Sequence, residues 1–204
     1  MKILAFDTSG EVLTAALTDN GRLVCSEQSA SSERHSSTLV PFLEKVLKKA
    51  RWKPNDLDVL AVGIGPGSFT GIRVGVTTAK LLGWVWKKKL VGVSSLEAAA
   101  RAKKISNGPV PVAVDARRGK IYAALYEKSG DKFAERIAPM LTTPEEFFKK
   151  TGGPVSVQEH PSVQASDIAA AALDLAKRKK FKTADSLEPL YLHPKDCNVT
   201  LKKK

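Results

Sequence analysis

The chain opens on short apolar runs separated by turn residues. Residues 3–6 end at Asp7-Thr8-Ser9-Gly10, residues 12–17 form a second run, and residues 23–27 follow the turn Asp19-Asn20-Gly21. Asn-Gly between two apolar runs is a strong hairpin signal, so the pattern predicts three consecutive antiparallel strands. Over 35–51 the period changes: Leu39, Phe42, Leu43, Val46, Leu47 and Ala50 fall on one face at helical spacing. Pro41 sits in or near the first turns of that helix, or kinks it. A buried strand over 57–64 is broken by Gly65-Pro66-Gly67-Ser68, and a second helix runs over 69–86. A strand over 90–93 and a short helix over 96–102, capped by Ser94-Ser95, complete this half.

The polar stretch from Lys103 to Gly108 reads as a lobe boundary, dividing the chain into 1–106 and a smaller lobe over 107–204. Strands are expected over 110–114, 121–126 and 133–137, the last after a turn at Ser129-Gly130-Asp131. Thr143, Pro144 and Glu146 have the spacing of a capping box with proline at the first helical position. A short strand over 155–157 and a helix over 167–177, capped by Ser166, end the pattern.

Three strands, a helix, a strand and a helix thus occur twice. The two openings align without a gap: Leu4-Ala5-Phe6-Asp7 with Val112-Ala113-Val114-Asp115, and Ala15-Ala16-Leu17 with Ala123-Ala124-Leu125. An internal repeat outranks other fold evidence. The reading is α/β: two tandem ribonuclease-H-like lobes of the actin, Hsp70 and sugar-kinase (ASKHA) architecture, the second lobe reduced.

Enzymes of that architecture hold nucleotide phosphates between the lobes, on the tight turn after each first strand. Asp7, Thr8 and Ser9 offer a carboxylate and two hydroxyls for such a contact, the aspartate orienting Mg²⁺ through water. The plain alternative is that Asp7 and Asp115 terminate strands and bond to turn N–H groups. The counterpart turn carries Arg117 and Arg118 where the hydroxyls would be. Gly65 to Arg73 joins a strand to a helix N-terminus, a place that binds anions; it lacks the GxxxxGK[ST] spacing, so it is not a P-loop. It serves equally as a tight turn in which glycines permit close approach.

In the helix that follows, Gly71, Gly75, Ala79 and Gly83 recur every four residues. Small residues on one ridge let another surface approach closely. Each glycine costs about 1 kcal/mol of helix propensity relative to alanine, so something must offset it: the helix over 39–50, or a helix of a second subunit.

Composition adds limits. The chain has 204 residues, 43% hydrophobic and 26% charged, which excludes wholesale disorder. The formal charge of +12 favours polyanionic partners. Two lobes of about a hundred residues leave no room for the insertions that wrap adenine in full kinases, which argues against a self-sufficient ATP site. Two cysteines make neither a disulfide framework nor a four-ligand zinc site. No apolar run approaches the roughly 18 residues of a membrane span, and Asp7 arrives too early for a signal peptide; the expectation is a cytoplasmic protein without membrane contact. The lysine runs at 177–182 and Lys202-Lys203-Lys204 are either solvated faces or a contact to RNA.

Residues Ile3-Leu4-Ala5-Phe6-Asp7-Thr8-Ser9, Glu33-Arg34-His35-Ser36, the stretch from Gly65 to Gly75, and Val93-Ser94-Ser95-Leu96-Glu97 resemble the TsaB (YeaZ) family. Val114-Asp115-Ala116-Arg117 with Tyr122 and Pro189-Leu190-Tyr191-Leu192 extend the likeness, although His193 stands where the family usually has arginine. The resemblance implies a non-catalytic subunit that pairs with the related transferase TsaD and works with the small ATPase TsaE. The complex transfers threonylcarbamoyl to adenosine 37 of tRNAs that read ANN codons. It also implies pairing through first-lobe helices, with a homodimer through the same surface when TsaD is absent. On the first helix that surface would carry His35, Leu39, Phe42, Leu43 and Val46. On the second it would carry Gly71, Val74, Gly75, Thr78, Ala79 and Leu82. The catalytic relatives bind a metal through a His-x-x-x-His pair; Ser94 to Ala98 stands there, so no metal and no catalytic residue are expected. ATP or ADP with Mg²⁺ would bind only weakly or at the TsaD interface. An independent ATPase or small-molecule kinase is the alternative, and a metallopeptidase comes last.

Overall fold

The structure, a computed structural model, describes residues 1–29, 35–103, 105–130, 132–159 and 163–192. The side chain of His35, the Glu33-Arg34 motif, Asp131, His193, Cys197 and the terminal lysines lie outside the described residues.

The first half forms β1 (Lys2–Asp7), β2 (Thr14–Asp19), β3 (Arg22–Gln28), α1 (His35–Lys49), β4 (Val59–Gly63), α2 (Phe69–Val85), β5 (Lys89–Val93) and α3 (Ser95–Ala102). The second half forms β6 (Gly108–Asp115), β7 (Ile121–Ser129), β8 (Lys132–Thr142), α4 (Pro144–Thr151), β9 (Val157–Gln158) and α5 (Ala165–Lys177). One sheet has the order β3-β2-β1-β4-β5 and the other β8-β7-β6-β9. In each, the first three strands in sequence form an antiparallel meander and the later ones join parallel to the first.

The predicted hairpin forms because Asn20 and Gly21 both adopt positive φ, 48° and 85°, the twist a two-residue hairpin turn requires. β1 is apolar from Ile3 to Phe6 because both its faces are covered. Leu4 and Phe6 join Leu60 and Val62 in the core beneath α1 and α2. Ile3 and Ala5 join Val59 and Ala61 in a second core beneath α5, with Ile168, Ala169, Ala171 and Ala172. The Thr143 box closes as expected, Glu146 N–H donating to Thr143 Oγ1 at 3.3 Å.

Several sequence expectations change. Helix α5 starts at Ala165 after Gln164, not at a Ser166 cap, and Ser94 precedes α3 without a side-chain capping bond. The boundary at 106/107 separates the two sheets but not the packed bodies. Helix α5 returns to cover the first sheet, while α3, through Leu96, Ala99 and Ala100, covers the second with Val110, Val112 and Tyr126. The segment after α5 also stays with the first lobe: Lys182 N–H donates to Leu90 O at 2.8 Å, and Leu187 is buried in the core beneath α2.

The glycines of the small-residue row on α2 pack against their own lobe. A Cβ on Gly71 would lie 2.0 Å from Thr8 O, one on Gly75 2.3 Å from Thr8 Oγ1, and one on Gly83 2.5 Å from a Leu90 methyl. Close approach of α2 to the β1 turn and to β5 of its own lobe is what offsets the glycine cost.

Candidate functional site

The turn after β1 is a closed polar knot. Asp7 Oδ1 accepts the Ser9 N–H at 2.8 Å and the Ser9 hydroxyl at 2.7 Å, and Asp7 Oδ2 accepts the Ser95 hydroxyl at 3.2 Å. The Ser9 and Ser95 hydroxyls lie 3.0 Å apart, and the Thr8 hydroxyl donates to Gly71 O at 2.7 Å. Asp7, Thr8 and Ser9 are 2%, 0% and 2% exposed. Burial holds the Asp7 carboxyl above its ordinary range, against the lowering effect of the hydrogen bonds from Ser9, Ser95 and Gly10.

The glycine-rich loop closes this knot. Ser68 N–H donates to Ser9 O and Ser95 N–H to Gly65 O, both at 2.8 Å. A Cβ on Gly67 would lie 2.5 Å from Ser9 O, and one on Gly63 would lie 1.7 Å from Asp7 Oδ2. The Asp7, Thr8 and Ser9 side chains each have a partner inside the lobe, among one another and on α2 and α3. The glycines of the loop are what permit this close approach.

What remains open to solvent is a cleft of about 480 Å³ between the two lobes. Ser9, Gly10, Gly67, Ser68, Arg117, Tyr122 and the acidic residues Glu11, Asp115 and Glu159 are among those that line it. Asp115 caps its own turn by accepting the Arg117 N–H at 2.8 Å, and the Arg117 guanidinium stands 3.4 Å from the same carboxylate. Its chemistry is mixed in sign.

A third feature is a strap. Arg73 lies 3.8 Å from the Phe69 ring and its Nε donates to the Tyr191 hydroxyl at 2.9 Å, while Leu190 N–H donates to Ile64 O at 2.8 Å. The Pro189-to-Leu192 stretch is thereby held against the start of α2.

Comparison with known proteins gives this geometry a family. Residues 27–190 match the family described as TsaD: tRNA N6-adenosine threonylcarbamoyltransferase. The tRNA threonylcarbamoyladenosine biosynthesis protein TsaB of Bacillus subtilis is 35% identical over 78% of this chain and 71% of its own length. The protein of that name from Haemophilus influenzae is 30% identical over the whole of this chain and 97% of its own. The chain belongs to the TsaB (YeaZ) family. A Pseudomonas aeruginosa structure described as similar to peptidase YEAZ shares the fold at a TM-score of 0.83, with 23% identity over 94% of this chain and 99% of that one.

Within the TsaB frame, the partner surface expected from sequence needs correction. Leu39, Leu43, Val46, Gly71, Gly75, Ala79 and Leu82 are buried inside their own lobe. Helical spacing marked the apolar face correctly, but that face meets the sheet. Phe42, Val74 and Thr78 are half-buried, the first two packed against the core of the lobe. The outward face of α2 instead carries Phe69, Thr77, Leu81, Trp84 and Val85.

Sequence reasoning missed Ser95 as a ligand of Asp7 and Gly63 as the gap that admits the carboxylate. A glycine inside an otherwise apolar strand was the available signal for close approach. Ser95 read as a cap, and nothing local pointed it at a residue 88 positions away. Among the described residues no group of three or more His, Cys, Asp or Glu could hold a metal ion, and no helix is long and apolar enough to cross a membrane.

Proposed function

We propose that this chain is a non-catalytic subunit of the machinery that places threonylcarbamoyl on adenosine in tRNA, pairing with TsaD and acting with TsaE in the cytoplasm. Family membership carries the reading. The closed Asp7 knot supports the non-catalytic role: in an ASKHA pair of lobes this turn would have to face the nucleotide, and here its polar atoms are consumed internally. ATP or ADP then binds weakly, or in a cleft that TsaD completes.

The pairing surface lies on the outward side of the α1–α2 seam, over Val40, Phe42, Val74, Thr77 and Leu81. Val40 and Leu81 are exposed apolar side chains on neighbouring helices, an arrangement that marks interaction sites. The same surface serves a homodimer when TsaD is absent. Reconstitution with TsaD, TsaE and the adenylate-forming enzyme is the test. Undiminished tRNA modification without this chain refutes the reading. Thr77→Arg with Leu81→Glu should abolish the TsaD complex on size exclusion and leave the melting temperature unchanged; an intact complex moves the interface elsewhere.

A further inference from the structure

We propose that the corner where α2 ends and β5 begins is a stacking site for an unpaired base of RNA. Trp84 is the platform, and Lys80, Lys87 and Lys88 hold the flanking phosphates. The proposal takes the tRNA reading above as its source for the kind of RNA.

Trp84 is 74% exposed, the most exposed of the large apolar side chains described. It borders an open cavity of about 610 Å³ lined also by Gly83, Val85, Lys87, Lys88, Leu90 and Ala184. None of the lining residues is acidic. Lys80 lies four residues before Trp84 on the same face of the helix. The backbone bond from Lys182 to Leu90 brings a further lysine to this corner. Asp185, next to Ala184 in the chain, and Asp56, next to the Asn55 carbonyl that accepts from Lys88 Nζ at 3.1 Å, are opposing charges.

Lysines after a helix C-terminus offset the negative end of its dipole, and that alone would account for Lys87 and Lys88. It does not account for an indole left in water beside a cavity. Two occupants would cover it, a protein surface or a base. Protein interface cores are depleted in lysine, whereas aromatic side chains ringed by cations are how single strands are held: the ring takes a base face and the cations take phosphate. Only an unpaired base presents that face, so loops are selected over duplex. The lysines fix the sign of the partner and the indole fixes its shape.

The test uses the full chain with Trp52→Phe and Trp86→Phe, leaving Trp84 as the sole indole. A stem-loop RNA, a fully paired RNA duplex and heparin are titrated in parallel. The stem-loop should quench Trp84 emission saturably and with strong salt dependence, and the other two should do so much more weakly. In the otherwise unaltered chain, Trp84→Ala should weaken stem-loop binding by fluorescence anisotropy about tenfold, and Trp84→Phe should restore most of it. Absence of quenching overturns the proposal, as does equal quenching by heparin, which means a polyanion patch without a platform. A change of oligomeric state in Trp84→Ala with unchanged RNA binding also overturns it, because a second copy then covers the indole. Tight stem-loop binding by a chain that proves dispensable for modification would leave this site standing and remove the functional reading; the reverse result would do the opposite.

Discussion

The contact between Gly75 and Thr8 decides whether the small-residue row is internal, and a double-mutant cycle tests it. In Gly75→Ala the new methyl would lie 2.3 Å from Thr8 Oγ1. The Thr8 side chain is fully buried, and its hydroxyl donates to Gly71 O at 2.7 Å. To clear the methyl the hydroxyl must rotate and lose that bond inside a closed interior, at about 1–3 kcal/mol. Against this, alanine gains about 1 kcal/mol of helix propensity over glycine. The net expectation is a loss of about 1 kcal/mol, a fall in Tm of about 2–4 °C for a chain of this size. In a Thr8→Ala background the obstacle is gone. The remaining near atoms, Thr8 Cβ and Val62 Cγ2, lie at 3.5 Å, ordinary contact. Gly75→Ala should then stabilise by about 1 kcal/mol, so the coupling between the sites is about 2 kcal/mol. Urea unfolding of the four proteins measures it. Additive effects, or a stabilising Gly75→Ala in the unaltered background, would show that this face does not pack on Thr8 and would return it to a partner.

Three further outcomes are expected. Burial raises the Asp7 carboxyl above 3.8, so the folded chain keeps that proton to higher pH than the unfolded one. Its contribution to stability is full below pH 3.8 and is lost as pH rises through the raised folded value; Asp7→Asn, which stays neutral, should gain on the unaltered protein in melting profiles from about pH 4 to pH 7, and parallel profiles refute this. Arg101 bonds Glu97 and Asp174, both at 2.9 Å, and lies 4.6 Å from the Phe133 ring, so it ties α3 and α5 to β8. Arg101→Ala should cost about 2 kcal/mol in calorimetry, less than a fully buried pair because Glu97 and Asp174 are partly wet, and a loss under about 0.5 kcal/mol would make the tie incidental. Tyr191→Phe removes the acceptor of the Arg73 Nε–H on an exposed surface; it should cost no more than about 1 kcal/mol yet speed amide exchange at Leu190 several-fold, and unchanged exchange would mean Leu187 alone holds the strap.

Much of the fold was legible in local pattern. The Asn20-Gly21 hairpin, the helical face of Leu39 to Ala50, the Thr143 box and the twofold element order all rest on spacings of a few residues. So did the family likeness, because the glycines around residues 65–75 cluster in one stretch. What long-range contacts set is of another kind. Leu39, Gly75 and Ala79 lie on a face that spacing says must be covered, and residues of their own lobe cover it. Asp7, Thr8 and Ser9 form a polar turn at a strand end, and its partners Ser95 and Gly71 come from distant parts of the chain.

Periodicity states that a helix has an apolar side; it carries no record of what meets that side. Which segments become strand or helix, where the glycine loop lies and which family the chain resembles all follow from residues close together in the chain. Contacts between distant segments bring α5 back to the first sheet, close Ser95 and the glycine loop over Asp7, and leave Thr77, Leu81 and Trp84 on the outward face of α2. Each of those pairs residues from distant parts of the chain. Their energies come from burial and hydrogen bonds that exist only once both surfaces are in place.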